Sequence, residues 1–356
     1  MTEGAMNDGQ GPGPAAKRAF IALCLLGGAA AAVTIGMARL GGTGARSGRP
    51  LAVMSDEIAA IRSNAHVAFR NLSAGPDYGT LSVAPLEGGS ASRRSTSLPC
   101  DRVYTAGQRT VCLANRPNER MKAELELFGA QLESRHLLQV GGIASRTRLS
   151  RNGRHAAYTV FVGRDSYLAV GFSTRTGIVD TEAGASLGDL ESYEASLDGT
   201  PFRASDFNYW GVTFAGDDDT FYATLGTGRH TYLVRGSIVS KRVTVLLDGV
   251  ECPSLSPDGR RIAFKKKNGR TWRPAVLALD SLTETVLPEL RSVDDQIEWL
   301  DDNRVLYALR HETTRPMRAD VWMADVNALT PPTIFLPDAE SPSIVRPRPA
   351  PALTQD

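Results

Sequence analysis

Between His66 and Val345 the chain repeats one pattern six times: an apolar strand end, a tight polar turn, then a strand of β-branched and aromatic residues. The clearest copy is Pro253-Ser254-Leu255-Ser256-Pro257-Asp258-Gly259-Arg260-Arg261-Ile262-Ala263-Phe264. The copies align on the apolar residue that closes the first strand, namely Tyr104, Leu149, Phe214, Leu255 and Trp299. Turns follow at Ala106-Gly107, Asn152-Gly153, Gly216-Asp217-Asp218, Pro257-Asp258-Gly259 and Asp301-Asp302-Asn303, residues that reach positive φ or initiate a turn. The second strands are Val111-Cys112-Leu113, Ala156-Ala157-Tyr158, Phe221-Tyr222-Ala223, Ile262-Ala263-Phe264 and Val305-Leu306-Tyr307. The anchors lie about 45, 65, 41 and 44 residues apart, and all but one interval match the roughly 40 to 45 residues of a four-stranded propeller blade.

The long interval holds Glu182 to Ser205, which is polar, rich in Gly, Ser and Asp, and without the strand pattern. It reads as an inserted loop with a short helix at its centre. The first blade has strands at His66 to Asn71, Thr80 to Pro85 and Arg93 to Ser97, but no inner strand before them. Glu340-Ser341-Pro342-Ser343-Ile344-Val345 repeats the form of Glu251-Cys252-Pro253-Ser254-Leu255-Ser256. The last strand is therefore expected to complete the first blade, leaving no open sheet edge. The fold class expected is all-β, a six-bladed β-propeller over residues 66–346 at about 43 residues per blade.

Composition agrees: 356 residues at 42% hydrophobic supply one large core, and 34 glycines suit a chain of many turns. A net charge of +1 lacks the basic footprint of a nucleic-acid binder. Ala19 to Ala38 is twenty residues without a charge, bracketed by Lys17-Arg18 and Arg39, long enough to cross a bilayer as a helix. An uncleaved signal anchor is favoured over a signal peptide cut near Ala29 to Ala32, because the apolar run continues past the alanines. Residues 1–18 then form a cytoplasmic tail, 39–65 a linker with a turn or two of helix at Ser55 to Arg62, and 347–356 a loose Pro-rich tail. Cys100 and Cys112 flank the Thr105 to Gln108 turn, nearly opposite on neighbouring strands, and are a disulfide candidate; two reduced core cysteines are the alternative. A disulfide suits an oxidising compartment, so the propeller is placed on the extracytoplasmic side. Cys24 reads as filler in the span, and Cys252 as a buried thiol.

The repeats, above all PSLSPDGRRIAF, resemble the WD40-like repeats of the TolB-type propeller family. ECPSLSPDGRRIAFKKKNG through WRPAVLALDSLTETVL resembles one complete blade, the other copies being degenerate. The resemblance implies a six-bladed propeller outside the cytoplasm that binds other proteins, and sometimes ligands, at its channel mouth. A membrane span and linker stand where that family's namesake has an N-terminal α/β domain, so no Tol–Pal role follows.

Catalytic constellations are thin. Gly171-Phe172-Ser173-Thr174-Arg175 fails the nucleophile-elbow pattern at its last position. Asn268-Gly269-Arg270-Thr271-Trp272 lacks the Ser and Asp of a sialidase box. His66, His136, His155, His230 and His311 occur singly, without metal-ligand spacing. Asp217-Asp218-Asp219 lacks the Gly and distal Glu of a calcium loop and reads as a solvated turn. The basic run Arg260-Arg261, Lys265-Lys266-Lys267, Arg270 and Arg273 reads first as protection of a sheet edge, and second as contact with anionic lipid or wall polymer.

Candidate binding residues gather where inner strands begin, around the channel: Asp206, Asn208 and Trp210, then Glu251, then Asp294, Asp295 and Gln296. Aromatic bulk there offers contact area and carboxylates offer orientation; satisfying neighbouring backbone groups is the plainer role for some of them. The expectation is thus a non-catalytic, membrane-tethered, monomeric scaffold for an envelope protein, peptide or ligand, without cofactor or metal. The alternative is a lyase or hydrolase using the acidic channel residues, which requires carboxylates that converge on a bound substrate.

Overall fold

A computed structural model describes residues 54–87, 92–119, 121–163, 172–312, 315–328 and 330–346. The expected span 19–38, its flanking tail and most of its linker, and the tail 347–356 lie outside the described residues. Among the described residues no helix is long and apolar enough to cross a membrane.

Six sheets follow one another along the chain, antiparallel but for one added pairing in the fourth, and in blades 2 to 6 the first strand of the blade is innermost. Blade 2 is Arg102–Ala106, Arg109–Asn115, Ala123–Phe128 and Ser134–Gln139. Blade 3 runs Ile143–Leu149, His155–Phe161, Thr174–Asp180 and Ala185–Asp189; blade 4 runs Asn208–Phe214, Thr220–Thr227, His230–Ser237 and Arg242–Asp248. Blade 5 is Glu251–Leu255, Arg261–Asn268, Thr271–Ala278 and Glu284–Val286; blade 6 is Glu298–Trp299, Arg304–Arg310, Ala319–Asp325 and Thr333–Leu336. Blade 1 takes His66–Asn71, Thr80–Pro85 and Arg94–Pro99 from the start of the propeller and Ala339–Val345 from its end, with Val67 opposite Ile344 and Ala68 opposite Ser343. The expected closure is present, and four of the five predicted anchors, Leu149, Phe214, Leu255 and Trp299, end an inner strand, while Tyr104 lies two residues before the end of its own.

The core lies between blades. Phe69 and Leu306 share the cluster joining blades 1 and 6, Leu125 and Val160 the one joining 2 and 3, and Tyr209 and Ile178 the one joining 3 and 4. Inner strands approach closely enough that a Cβ on Gly211, at φ 66°, would sit 2.6 Å from Cys252 Cα, so glycine is required there.

Three expectations are corrected. The segment 182–205 is not strand-free. It carries the outer strand of blade 3, a one-turn helix at Leu190–Ser192, and a hairpin, Glu194–Leu197 with Thr200–Phe202, that extends blade 4 to six strands by parallel pairing onto Arg242–Asp248. These peripheral strands bury one face or less, so few apolar residues announce them. Second, the helix expected at Ser55 to Arg62 is present, at Asp56–Arg62, but within the stretch read as linker it is packed in place: Ser55 Oγ accepts from Ile58 N, and Ile58 is buried among Leu98, Val103 and Phe128. Third, the basic hairpin does not guard an edge, because Arg261–Asn268 is paired on both sides. Lys265 is fully buried and Lys266 pairs with Glu284.

Candidate functional site

Inner strands run in one direction, so the channel has a leading mouth where they begin and a trailing mouth where they end. The leading mouth holds the predicted residues, and packing engages nearly all of them. Asp206 is exposed but accepts from Thr227 Oγ1 at 2.5 Å and Gly228 N at 2.7 Å, which hold its carboxyl below the usual range. Asn208 Oδ1 accepts from Thr174 N at 2.8 Å, joining blades 3 and 4. Trp210 is buried with Phe161, Cys252 and Trp272. Asp295 accepts from Gln296 N and Ala308 N, and Gln296 Nε2 donates to Val212 O and Pro253 O, both at 3.0 Å.

Charge is gathered there but mutually paired. Glu251 lies opposite Lys265, whose Nζ is 2.8 Å from Asp294 Oδ1 and 4.3 Å from the centre of the Trp272 ring. Arg146 reaches the same carboxylate oxygen at 3.2 Å. Burial alone would lower the Lys265 ammonium, but Asp294 together with Cys252 and Glu251 outweighs it and holds the group above its ordinary range. On the far side Glu340, 3% exposed, meets Arg70 at 2.6 Å, Arg102 at 3.4 Å and Arg310 at 3.7 Å. Burial would raise its carboxyl, and the three guanidiniums bring it below the ordinary value.

Nearer the trailing mouth a second belt crosses the axis. Arg148 Nη2 donates to Glu298 Oε2 at 2.8 Å, its Nη1 to Ser254 Oγ at 2.7 Å, and its guanidinium lies 5.0 Å over the Tyr104 ring. The Tyr104 hydroxyl donates to Glu298 at 3.1 Å, and Ile344 N reaches the same carboxylate at 3.3 Å. Burial pushes the Glu298 carboxyl up even with Arg148 beside it. Between the belts remains a cleft of only about 20 Å³, room for about one water.

Above the second belt the channel opens into a cavity of about 1170 Å³. Its walls are the ends of the inner strands and their hairpins: Leu149, Phe214, Leu255, Trp299 and Ile344 are the apolar side, and Arg62, Arg151 and Arg346 are on the basic side. None of the seven predicted binding residues lines it. Tyr104, Arg148, Glu298 and the rim arginines were missed. One signal was available: in four blades the residue just before the anchor is polar, Arg148, Thr213, Ser254 and Glu298, and all four line the cavity.

Cys100 and Cys112 form a disulfide, with Cα atoms 5.5 Å apart, and Cys252 is a free, buried thiol. The Asp217 carboxylate accepts from Asp219 N and Thr220 N, closing its own turn. Among the described residues no three His, Cys, Asp or Glu side chains are grouped to hold a metal ion. Glu191, in the one-turn helix, accepts from Thr176 N at 3.0 Å and Tyr209 N at 3.4 Å, stapling blades 3 and 4; burial pushes its carboxyl up to about 7.

No family model matches the chain, and no curated protein matches it. Solved structures do. TolB from Acinetobacter baumannii is 14% identical, with a TM-score of 0.56 over 80% of this chain and 67% of that one. A chain of a nidogen/laminin complex is 11% identical, with a TM-score of 0.52 over 79% of this chain and 98% of that one. A TolB described as putative, from Agrobacterium tumefaciens, is 12% identical, with a TM-score of 0.47 over 78% and 91%. The fold is the TolB-like six-bladed propeller.

Proposed function

We propose that this protein is a non-catalytic scaffold, tethered to a membrane through residues 19–38, whose propeller holds a partner protein or ligand at the trailing mouth on the extracytoplasmic side. The observation that carries this reading is the axial cavity: wide, half apolar, and floored by polar groups that already satisfy one another. The Cys100–Cys112 bond supports an oxidising compartment, and the charge-free run 19–38 supports the tether. An acid–base enzyme needs carboxylates that converge on substrate. Here Asp206, Asp294 and Asp295 each have separate partners away from the cavity, Glu251 lies opposite Lys265 outside it, and Glu298 is fixed by Arg148 and Tyr104.

Site-specific photo-crosslinking in the full-length protein tests the reading. A photoreactive residue replacing Gln108, on the cavity wall, is expected to capture a partner in the native host, whereas one replacing Arg229, on a hairpin at the leading side, is not. Adducts confined to position 229 would overturn it.

A further inference from the structure

Accepting that the trailing cavity is a binding site, we infer that its ligand is an acidic peptide segment carrying apolar side chains between its carboxylates. The inference rests on how the charges of this face are used. Asp218, which lines the cavity, accepts from Asn152 Nδ2 on the neighbouring hairpin, and three other hairpin aspartates are consumed locally. Asp217 accepts from Thr220 N and Oγ1, Asp258 from Ser256 Oγ and Arg260 N, and Asp301 from Asn303 N and the Arg304 guanidinium. The arginines are not matched in the same way. Arg62, Arg151 and Arg346 donate only to carbonyl oxygens, of Ala130 at 3.4 Å, Pro257 at 2.6 Å and Leu300 at 2.8 Å, and none of the three is in an ion pair among the described residues. A carbonyl orients a guanidinium without neutralising it, so three cationic groups face the opening with donors to offer.

The size and apolar wall of the cavity fit the same ligand. The cavity exceeds the roughly 300 to 1,000 Å³ of a small-molecule site, and Phe214, Leu255 and Ile344 offer apolar contact beside the cations. A single peptide strand passes inside the opening and presents carboxylates to guanidiniums, the geometry in which charged hydrogen bonds are strongest.

The test uses the full-length protein and three fluorescein-labelled peptides of equal length, alternating Glu-Leu, Gln-Leu and Lys-Leu, titrated by anisotropy, with inorganic phosphate as competitor. The Glu-Leu peptide is expected to bind about tenfold or more tighter than Gln-Leu, to weaken as ionic strength rises, and to lose about tenfold in the double variant Arg151→Glu with Arg346→Glu, while Arg229→Glu leaves it unchanged. Competition by phosphate at comparable concentration would overturn the peptide class in favour of a small anion. Equal binding of Glu-Leu and Gln-Leu, or no effect of the double variant, would overturn the acidic class and leave the scaffold reading standing. Failure of all three peptides to bind, with no partner crosslinked at position 108, would remove both.

Discussion

The two mouths of this channel are built from the same kinds of residue and do opposite things. At the leading mouth Arg70, Arg102, Arg146 and Lys265 face Glu340 and Asp294 across blades, so each cation there has a carboxylate within ion-pair distance. At the trailing mouth Arg62, Arg151 and Arg346 find only carbonyls, while Asp217, Asp258 and Asp301 are taken up within their own hairpins. The comparison teaches that a charged residue on a propeller axis is a binding candidate only when its counter-charge is missing. Paired charge at the leading mouth clasps the ring; unpaired charge at the trailing mouth is offered outward.

That contrast can be broken by removing one group from each end. The largest effect is expected for Glu340→Ala, which leaves Arg102 buried without its carboxylate and Arg70 with only Asp101 at 3.6 Å, and loosens the strand that closes the ring. A loss of about 3–5 kcal/mol is expected in chemical denaturation. A loss below about 1 kcal/mol would mean that the leading cluster is solvated rather than sealed.

Next comes pH. The Glu191 carboxyl is held up at about 7 by burial, above its value in an unfolded chain, so its protonated form favours folding. This contribution is complete below about pH 4.5 and is lost as pH rises through about 7, an effect on the order of 3 kcal/mol. Glu191→Gln is expected to flatten the melting temperature over that window relative to the parent. An unchanged slope would place the titrating group elsewhere. Replacing both Cys100 and Cys112 by Ser should cost about 2–3 kcal/mol, as expected for closing a short loop, and leave peptide affinity at the trailing mouth unaltered.

The smallest stability effect sharpens the comparison most. Arg151→Ala removes an exposed guanidinium bound only to Pro257 O, so stability should stay within about 0.5 kcal/mol of the parent while ligand affinity falls. A stability loss as large as that of Glu340→Ala would make the two mouths equivalent.

Much of this architecture was legible from residues alone. Turn glycines and aspartates at blade spacing marked five hairpins, and the likeness of 340–345 to 251–256 predicted the closing strand that pairs Ser343 with Ala68. Hidden were the strands at Ala185–Asp189 and Glu194–Leu197, whose solvent-facing positions carry no alternating apolar signal. The residues read as binding candidates lie at the leading mouth for a related reason. Asp294 looks available in sequence, and only folding brings Lys265 and Arg146 to it from positions 29 and 148 residues away. Arg148 looked like one more strand residue, until its partner Glu298 arrived from the other side of the ring.

The most direct test is hydrogen–deuterium exchange on the full-length protein with and without the alternating Glu-Leu peptide. Protection is expected at the trailing hairpins around Gly107, Asn152 and Gly216, with none at Asp206, Glu251 or Asp294. Protection at those three positions, with the hairpins unaffected, would contradict the account.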